Sequence, residues 1–174
     1  MADEVVELIE PEAASQPAFL AMVNEYAAAG EERYARHRER AASDWPGLVR
    51  ELCDDTLPRD PNLVPGRNYF LVRNGSDILG RTSVRYYLNE NLKHEGGHIG
   101  YDIRPSERGK GYGTLILKLA LGKAREIGLR RALVTCDKDN LASARVIRKN
   151  GGRLESEVVS YRTGKLVQRY WIEL

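Results

Sequence analysis

The sequence predicts a single α/β domain in which a mixed, mostly antiparallel sheet is flanked by helices on both faces. Three observations carry that expectation. His98-Ile99-Gly100-Tyr101-Asp102-Ile103 alternates large apolar with small or polar residues, the pattern of a half-buried strand. Arg104-Pro105-Ser106-Glu107 then stops strand pairing, and Arg108-Gly109-Lys110-Gly111-Tyr112-Gly113 opens a helix that Gly128 closes. Past Gly128, Ala132-Leu133-Val134-Thr135-Cys136 reads as a buried strand. A strand that returns after a helix implies a parallel pair joined by a right-handed crossover.

The other elements follow in order. Val5 to Ile9 is a short strand stopped near Pro11, and Phe19, Leu20, Met22, Val23 and Tyr26 mark a helix ending about Gly30. Glu31 to Arg40 is densely charged and reads as a solvated helix. Asp44 caps a helix carrying Leu48, Val49 and Leu52, and Asp54 to Arg67, with Pro58, Pro61, Pro65 and Gly66, is a loop. Asn68 to Arg73 is a strand and Asn74-Gly75-Ser76-Asp77 a hairpin turn. Its partner runs from Ile78 to Leu88, with Gly80, Thr82, Val84 and Tyr86 on one face and Arg81, Ser83, Arg85 and Tyr87 on the other. Asn89 to Gly97 is a polar loop. The helix after Gly113 shows Leu115, Ile116, Leu119, Ala120, Ala124 and Ile127 on one side. Asp139 or Asn140 caps a helix bearing Leu141, Ala144 and Ile147 and ended by Asn150-Gly151-Gly152. Two strands, about Leu154 to Tyr161 and Leu166 to Ile172, flank a turn at Thr163-Gly164-Lys165.

Bulk numbers narrow the function classes. A chain of 174 residues is one domain by size, with room for a real core. A formal charge of +2, from 27 basic and 25 acidic residues, does not argue for nucleic acid as partner. Cys53 and Cys136 lie far apart and His37, His94 and His98 show no ligand spacing, so neither a metal site nor a disulfide is expected. The acidic start lacks a signal peptide's basic end, and no run reaches the length of a membrane helix. A cytoplasmic protein with reduced thiols is the expectation.

The glycine-rich turn is the first feature with chemistry in it. Glycines at every second position keep Cβ atoms away from an approaching molecule, and the helix beginning there offers free amides and a dipole that favours negative charge. Arg108 and Lys110 add positive charge, so the turn suits a phosphate or pyrophosphate. The plainer alternative is a turn that only packs strand against helix. A P-loop is excluded because Gly113-Thr114 lacks the intervening lysine, and the even spacing of Gly109, Gly111 and Gly113 departs from the dinucleotide fingerprint Gly-x-Gly-x-x-Gly.

The stretch resembles the acetyl-coenzyme A signature of the GNAT (GCN5-related N-acetyltransferase) superfamily, Arg/Gln-x-x-Gly-x-Gly/Ala, met by Arg108, Gly111 and Gly113. A second motif, Asn-x-x-Ala/Ser followed by an aliphatic residue and later a glycine, is met by Asn140, Ser143, Val146 and Gly151. The resemblance covers residues 68 to 174 well and the first third by order of elements. It implies two parallel strands that splay to admit pantetheine, a coenzyme-binding core over residues 97–152 and an acceptor-shaping region over residues 11–67. It also implies coenzyme contacts from Asp102, Ile103, Arg104, Arg108, Gly109, Lys110, Gly111, Tyr112, Gly113, Thr114, Asn140, Ser143 and Lys149. Asn140 is equally a plain helix cap. The basic side of residues 31–40 is, as the alternative to a plain solvated helix, a candidate rim for an acceptor groove or an attractor of the coenzyme's phosphates. The proline-rich loop is either a lid or a passive connection.

What the resemblance implies in function is acetyl transfer from acetyl-coenzyme A, without a metal, to a primary amine of a small molecule or peptide. Pairing of two copies through the last strands is common in the family. The tyrosine that often protonates the leaving thiolate is replaced by Ile147, which leaves Tyr101 and Tyr161 as candidate donors. An ammonium must lose a proton before it can attack, and His98 is the first candidate base, followed by Glu90 or Glu95. A hydrogen-bonded structural role is the alternative for His98. Cys136 reads as a small buried residue, which favours direct transfer in a ternary complex over an acyl-cysteine intermediate. The other class of function compatible with the missing tyrosine is a coenzyme A-binding sensor without turnover.

Overall fold

The protein is described by a computed structural model covering residues 4–53 and 64–174. Asp54 to Leu63 of the expected proline-rich loop lie outside the described residues, and the loop's end is strand, since β2 begins at Gly66.

Two antiparallel sheets make up the centre. The first has the order β1-β2-β3-β4, from β1 (Val6–Ile9), β2 (Gly66–Arg73), β3 (Asp77–Arg85) and β4 (Ile99–Ile103). The second has the order β5-β7-β6, from β5 (Arg131–Asp137), β6 (Arg153–Val159) and β7 (Leu166–Glu173). The expected hairpin between β2 and β3 is present, with Asn74 and Gly75 at φ of 51° and 76°, as a tight primed turn requires. β3 ends at Arg85 and not at Leu88: the Tyr86 amide still reaches the in-register Pro65 carbonyl at 3.0 Å, but proline has no N–H to return the bond.

Strands β4 and β5 were expected as a parallel pair. They belong to separate sheets and no ladder joins them. Instead they are tied where β4 begins: the His98 amide donates to the Leu133 carbonyl (2.7 Å), the Leu133 amide donates to His98 Nδ1 (2.9 Å), and the Gly96 amide donates to Thr135 Oγ1 (2.9 Å). Gly97 makes that approach feasible, since a Cβ there would stand 2.3 Å from the Leu133 carbonyl oxygen. Beyond the tie the strands separate, which is the splay the family resemblance implies.

Helices cover both faces. On one side lie α1 (Gln16–Ala28), α2 (Ala35–Ser43) and α3 (Trp45–Cys53), whose Phe19, Met22, Tyr26, Trp45 and Leu48 pack on Phe70, Val72 and Ile78. On the other lie α5 (Tyr112–Glu126) and α6 (Leu141–Lys149), following the short α4 (Glu90–His94). The core face of α5 is Ile116, Leu117, Ala120, Leu121 and Ala124, a slightly rotated version of the expected stripe that leaves Ile127 exposed. Helix α4 replaces part of the expected loop; its start is set by Asn89, whose side chain accepts from the Leu92 amide. The charged stretch 31–40 is less solvated than its composition suggests. Tyr34 within it is only 4 % exposed and the following Ala41 is fully buried.

Candidate active site

Between the separating strands and α6 lies a cavity of about 620 Å³. Strand alternation decides what β4 offers to it. The Arg85 amide donates to the His98 carbonyl and the Arg104 amide to the Leu79 carbonyl, so the His98 carbonyl, the main chains of residues 100 and 102, and the Arg104 amide are turned to β3. The main chains of Ile99, Tyr101 and Ile103 point the other way, towards the splay. The Ile103 carbonyl there is taken by Arg108 Nε at 3.0 Å. The main chain of Tyr101 is thus the part of β4 placed to pair with an extended amide. Asp102, expected as a coenzyme contact on this strand, has its main chain turned to β3.

The glycine turn opens on the same cavity through Gly109, Gly111, Gly113 and Thr114. Gly109 and Gly111 have φ of +78° and +92°, with no atom within 4 Å of an added Cβ, so they are glycines for their left-handed backbone and leave open space beside it. Gly113 is different: a Cβ there would press to 3.2 Å on Val146, where α5 and α6 meet. The turn's two basic side chains are not free for a phosphate. Arg108 holds Glu31 with two bonds of 2.6 and 3.0 Å, and Lys110 reaches Glu107 at 3.1 Å. Positive charge comes from α6 instead, where Arg145 and Lys149 line the cavity one turn apart. Arg145 escaped the sequence reading, although a basic pair four residues apart was visible there.

The other expected coenzyme contacts divide between the cavity and surroundings away from it. Arg104 is engaged away from the cavity with Glu25 (2.8 Å) and Asp77 (3.0 Å). Tyr112 turns its hydroxyl to Glu4 at 2.6 Å, and neither it nor Lys110 lines the cavity. Asn140 does cap α6, accepting from the Ser143 amide at 3.0 Å, and it lines the cavity with Ser143.

Of the residues expected to handle protons, the structure brings one to the cavity. Tyr101 lies in its wall with Oη 2.8 Å from Ser143 Oγ, and burial pushes the phenol up to about 12, so it stays protonated. His98 is wedged between the sheets, with its Nδ1 lone pair already accepting from Leu133; burial, and the nearby positive charges of Arg85 and Arg131, push it down to about 4. A ring held that way has no free acceptor nitrogen on that side and does not line the cavity. Glu90 is exposed and pairs with Lys93 at 2.7 Å, beside His94 and Tyr161 in a separate depression. Ile147, in the usual tyrosine position, is fully buried in the core. Burial raises the Cys136 thiol to about 11, which keeps it protonated and a poor nucleophile.

The far wall of the cavity comes from the α1–α2 corner. Asp102 projects towards it, accepting from Tyr26 Oη and Tyr34 Oη at 2.7 Å each, with Arg33 at 3.6 Å. Burial first, and then the Asp102 charge, pushes both phenols well up, so each remains a donor. Glu31 and Arg33 line this wall and were not singled out individually from sequence, because nothing in a charged run says which residue faces inward.

The profile of the acetyltransferase (GNAT) domain family matches residues 8–153. The chain belongs to the GNAT acetyltransferase family. Its fold agrees with that of other GNAT structures. The ribosomal L7/L12 alpha-N-protein acetyltransferase RimL, solved with coenzyme A, superposes with a TM-score of 0.64 at 19 % identity, over 97 % of this chain and 94 % of that one. The microcin C7 self-immunity acetyltransferase MccE, solved with acetyl-CoA and AMP, gives a TM-score of 0.64 at 14 % identity, over 97 % and 92 %. The putative acetyltransferase yncA from Salmonella typhimurium, solved with acetyl-CoA, gives 0.61 at 17 % identity, over 97 % and 94 %. No curated protein sequence matches the chain. Among the described residues no helix is long and apolar enough to cross a membrane, and no three potential metal ligands converge.

Proposed function

We propose that this GNAT domain carries an acetyl group from acetyl-coenzyme A to the amine of a small molecule or peptide by direct attack in a ternary complex. The observation that carries the reading is a single cavity with two chemically different walls. One wall has the left-handed glycine turn at the start of a 15-residue helix, the outward main chain of Tyr101, and Arg145 with Lys149. The other has Asp102 from β4 and Arg33 from the turn before α2. The first fits a diphosphate-bearing thioester carrier: unpartnered amides at a helix start, open space where Cβ atoms would stand, and two cations nearby. When bound, such a carrier supplies an activated acetyl thioester.

The chain's own residues then divide the work. Residues 97–152 form the coenzyme-binding core and residues 11–67 shape the acceptor side. The Tyr101 amide is placed to polarise a carbonyl in the splay, and the Tyr101 hydroxyl, steadied by Ser143, is the proton donor for a leaving thiolate. His98 and Glu90 are set aside as bases for the reasons of geometry given above. Water in the cavity accepts the ammonium proton before the neutral amine attacks.

Calorimetry with coenzyme A and a thiol-release assay across amine classes test the reading together. The expected result is binding that Gly111→Val abolishes, with thiol release on adding amine. Unchanged affinity in Gly111→Val rejects the glycine turn as the coenzyme site. Binding without thiol release from any amine identifies a coenzyme-binding module in place of an enzyme.

A further inference from the structure

The acceptor wall holds opposite charges at a spacing that has chemical meaning. Asp102 is 18 % exposed, and its two oxygens each take one phenol proton, which leaves acceptor capacity on the cavity side. Arg33, 52 % exposed, stands 3.6 Å from it and spends little of its five-donor guanidinium on that contact. The neighbouring charges are already matched, since Arg108 and Glu31 neutralise each other through two hydrogen bonds. Asp102 and Arg33, paired loosely with each other at 3.6 Å and with Arg33 over the Tyr26 ring at 5.9 Å, therefore keep spare acceptor and donor capacity side by side. A ligand complementary to them carries an ammonium and a carboxylate separated by one carbon, which is the head of a free α-amino acid.

We propose that the acceptor is a free α-amino acid, its ammonium held by Asp102 and its carboxylate by Arg33, with Tyr26 and Tyr34 as positioning residues that fix the Asp102 carboxylate. This rests on the transfer reading above and narrows its acceptor. A polyamine or lysine side chain has no carboxylate beside its amine, and a peptide N-terminus has an amide there. Either would leave Arg33 without a partner. Phenol donors on both oxygens hold Asp102 in one orientation, so the ammonium is met by an acceptor whose rotamer is already set.

The test compares each amino acid with its own α-amide, in the full chain, by thiol release from acetyl-coenzyme A over a panel of side chains. The ratio of kcat/KM for acid over amide is measured in wild type, Arg33→Gln and Asp102→Asn. Taking the ratio of ratios cancels the intrinsic difference in amine basicity between acid and amide. The expected result is that Arg33→Gln lowers the acid-to-amide ratio by about 10-fold or more, the size of a lost charged hydrogen bond, while coenzyme A affinity by calorimetry stays within a factor of about 3. Asp102→Asn lowers kcat/KM for both compounds and leaves the ratio near its wild-type value.

An unchanged ratio in Arg33→Gln overturns the proposal. So does a loss of coenzyme A affinity in that variant, which would make Arg33 a phosphate ligand. Turnover of polyamines or peptides with none of free amino acids also overturns it, and in that case the transfer reading survives. Binding of coenzyme A with no turnover of any amine overturns both.

Discussion

The Tyr101 hydroxyl stands 2.8 Å from that of Ser143, so the edge strand of one sheet and the first turn of α6 touch across the cavity. That contact holds a phenol, pushed up to about 12 by burial, at the place where the two motifs converge. Tyr101→Phe keeps the ring and removes the proton. The expected outcome is a fall in kcat of about tenfold or more, at the low end of what a positioned acid supplies because a thiolate leaves readily. Coenzyme A affinity should change little. The donor works while protonated, so wild-type kcat should show no loss assigned to this group until the pH approaches 12. A kcat for Tyr101→Phe equal to that of wild type would remove the tyrosine from the mechanism.

His98 belongs to the fold, and pH tells the two roles apart. Its folded value is about 4, below the ordinary ~6.5. On acidification the unfolded chain therefore takes up the proton first. The stability due to a neutral His98 is complete above about pH 6.5 and is lost as the pH falls towards 4, at no more than ~1.4 kcal/mol per unit. His37, lowered to about 4 by burial and by Arg81, acts in the same direction. Urea unfolding at pH 7 and pH 5 should show wild type losing stability, and His98→Gln losing less of it between the two. At pH 7 the variant itself should be weaker by about 1–3 kcal/mol, since it disturbs the acceptor for the buried Leu133 amide. An acid limb near pH 6.5 in kcat that vanishes in His98→Gln, with stability unaltered, would return the histidine to catalysis.

These two residues also mark what a sequence can disclose. The elements were legible because their signals are local: the alternation at 98–103, the Asn74-Gly75 turn and the glycine stops at Gly128 and Gly151 each report on a few neighbours. The coenzyme wall was legible for the same reason, since its glycines and Asn140 lie within two short motifs. Function of single side chains was not. Whether His98 faces a cavity or a backbone amide of Leu133 depends on how two sheets meet, 35 residues apart in the chain. Arg108 read as a phosphate ligand because its partner, Glu31, is 77 residues away. Asp102 read as a main-chain contact because the tyrosines that claim its side chain come from α1 and the turn before α2.

Asn140 combines two roles that one substitution separates. Its Oδ1 caps α6, while its amide nitrogen has no partner among the described residues and the residue lines the cavity. Asn140→Ser keeps a capping oxygen and removes the amide. Stability should stay within about 0.5 kcal/mol, as capping preferences for the two residues are close. Coenzyme A affinity should fall about 3- to 10-fold, the value of one hydrogen bond. Equal affinities would leave Asn140 as a cap alone.

Arg145 and Lys149 replace the charge that Arg108 and Lys110 spend on Glu31 and Glu107. Each is exposed, so its attraction for a phosphate is screened by salt. Arg145→Gln and Lys149→Gln should each weaken coenzyme A by a few fold at low ionic strength, and the deficit should shrink towards 0.5 M salt. Lys110→Gln should cost less affinity than either. Calorimetry at two salt concentrations decides it, and a larger loss in Lys110→Gln than in the α6 variants would restore the turn's own cations as the phosphate ligands.

Cys136 lies on β5 within the same buried layer as Ile147 and Tyr170, and burial lifts its thiol to about 11. At neutral pH the thiol is then almost wholly protonated, so an acyl-cysteine has little nucleophile to form from. Direct transfer requires both substrates bound together. Initial-rate plots against acetyl-coenzyme A at several acceptor concentrations should therefore intersect, and Cys136→Ala should keep kcat within a factor of about 3, since it removes only a small buried group. Parallel lines, together with inactive Cys136→Ala that still binds coenzyme A, would establish the covalent route instead.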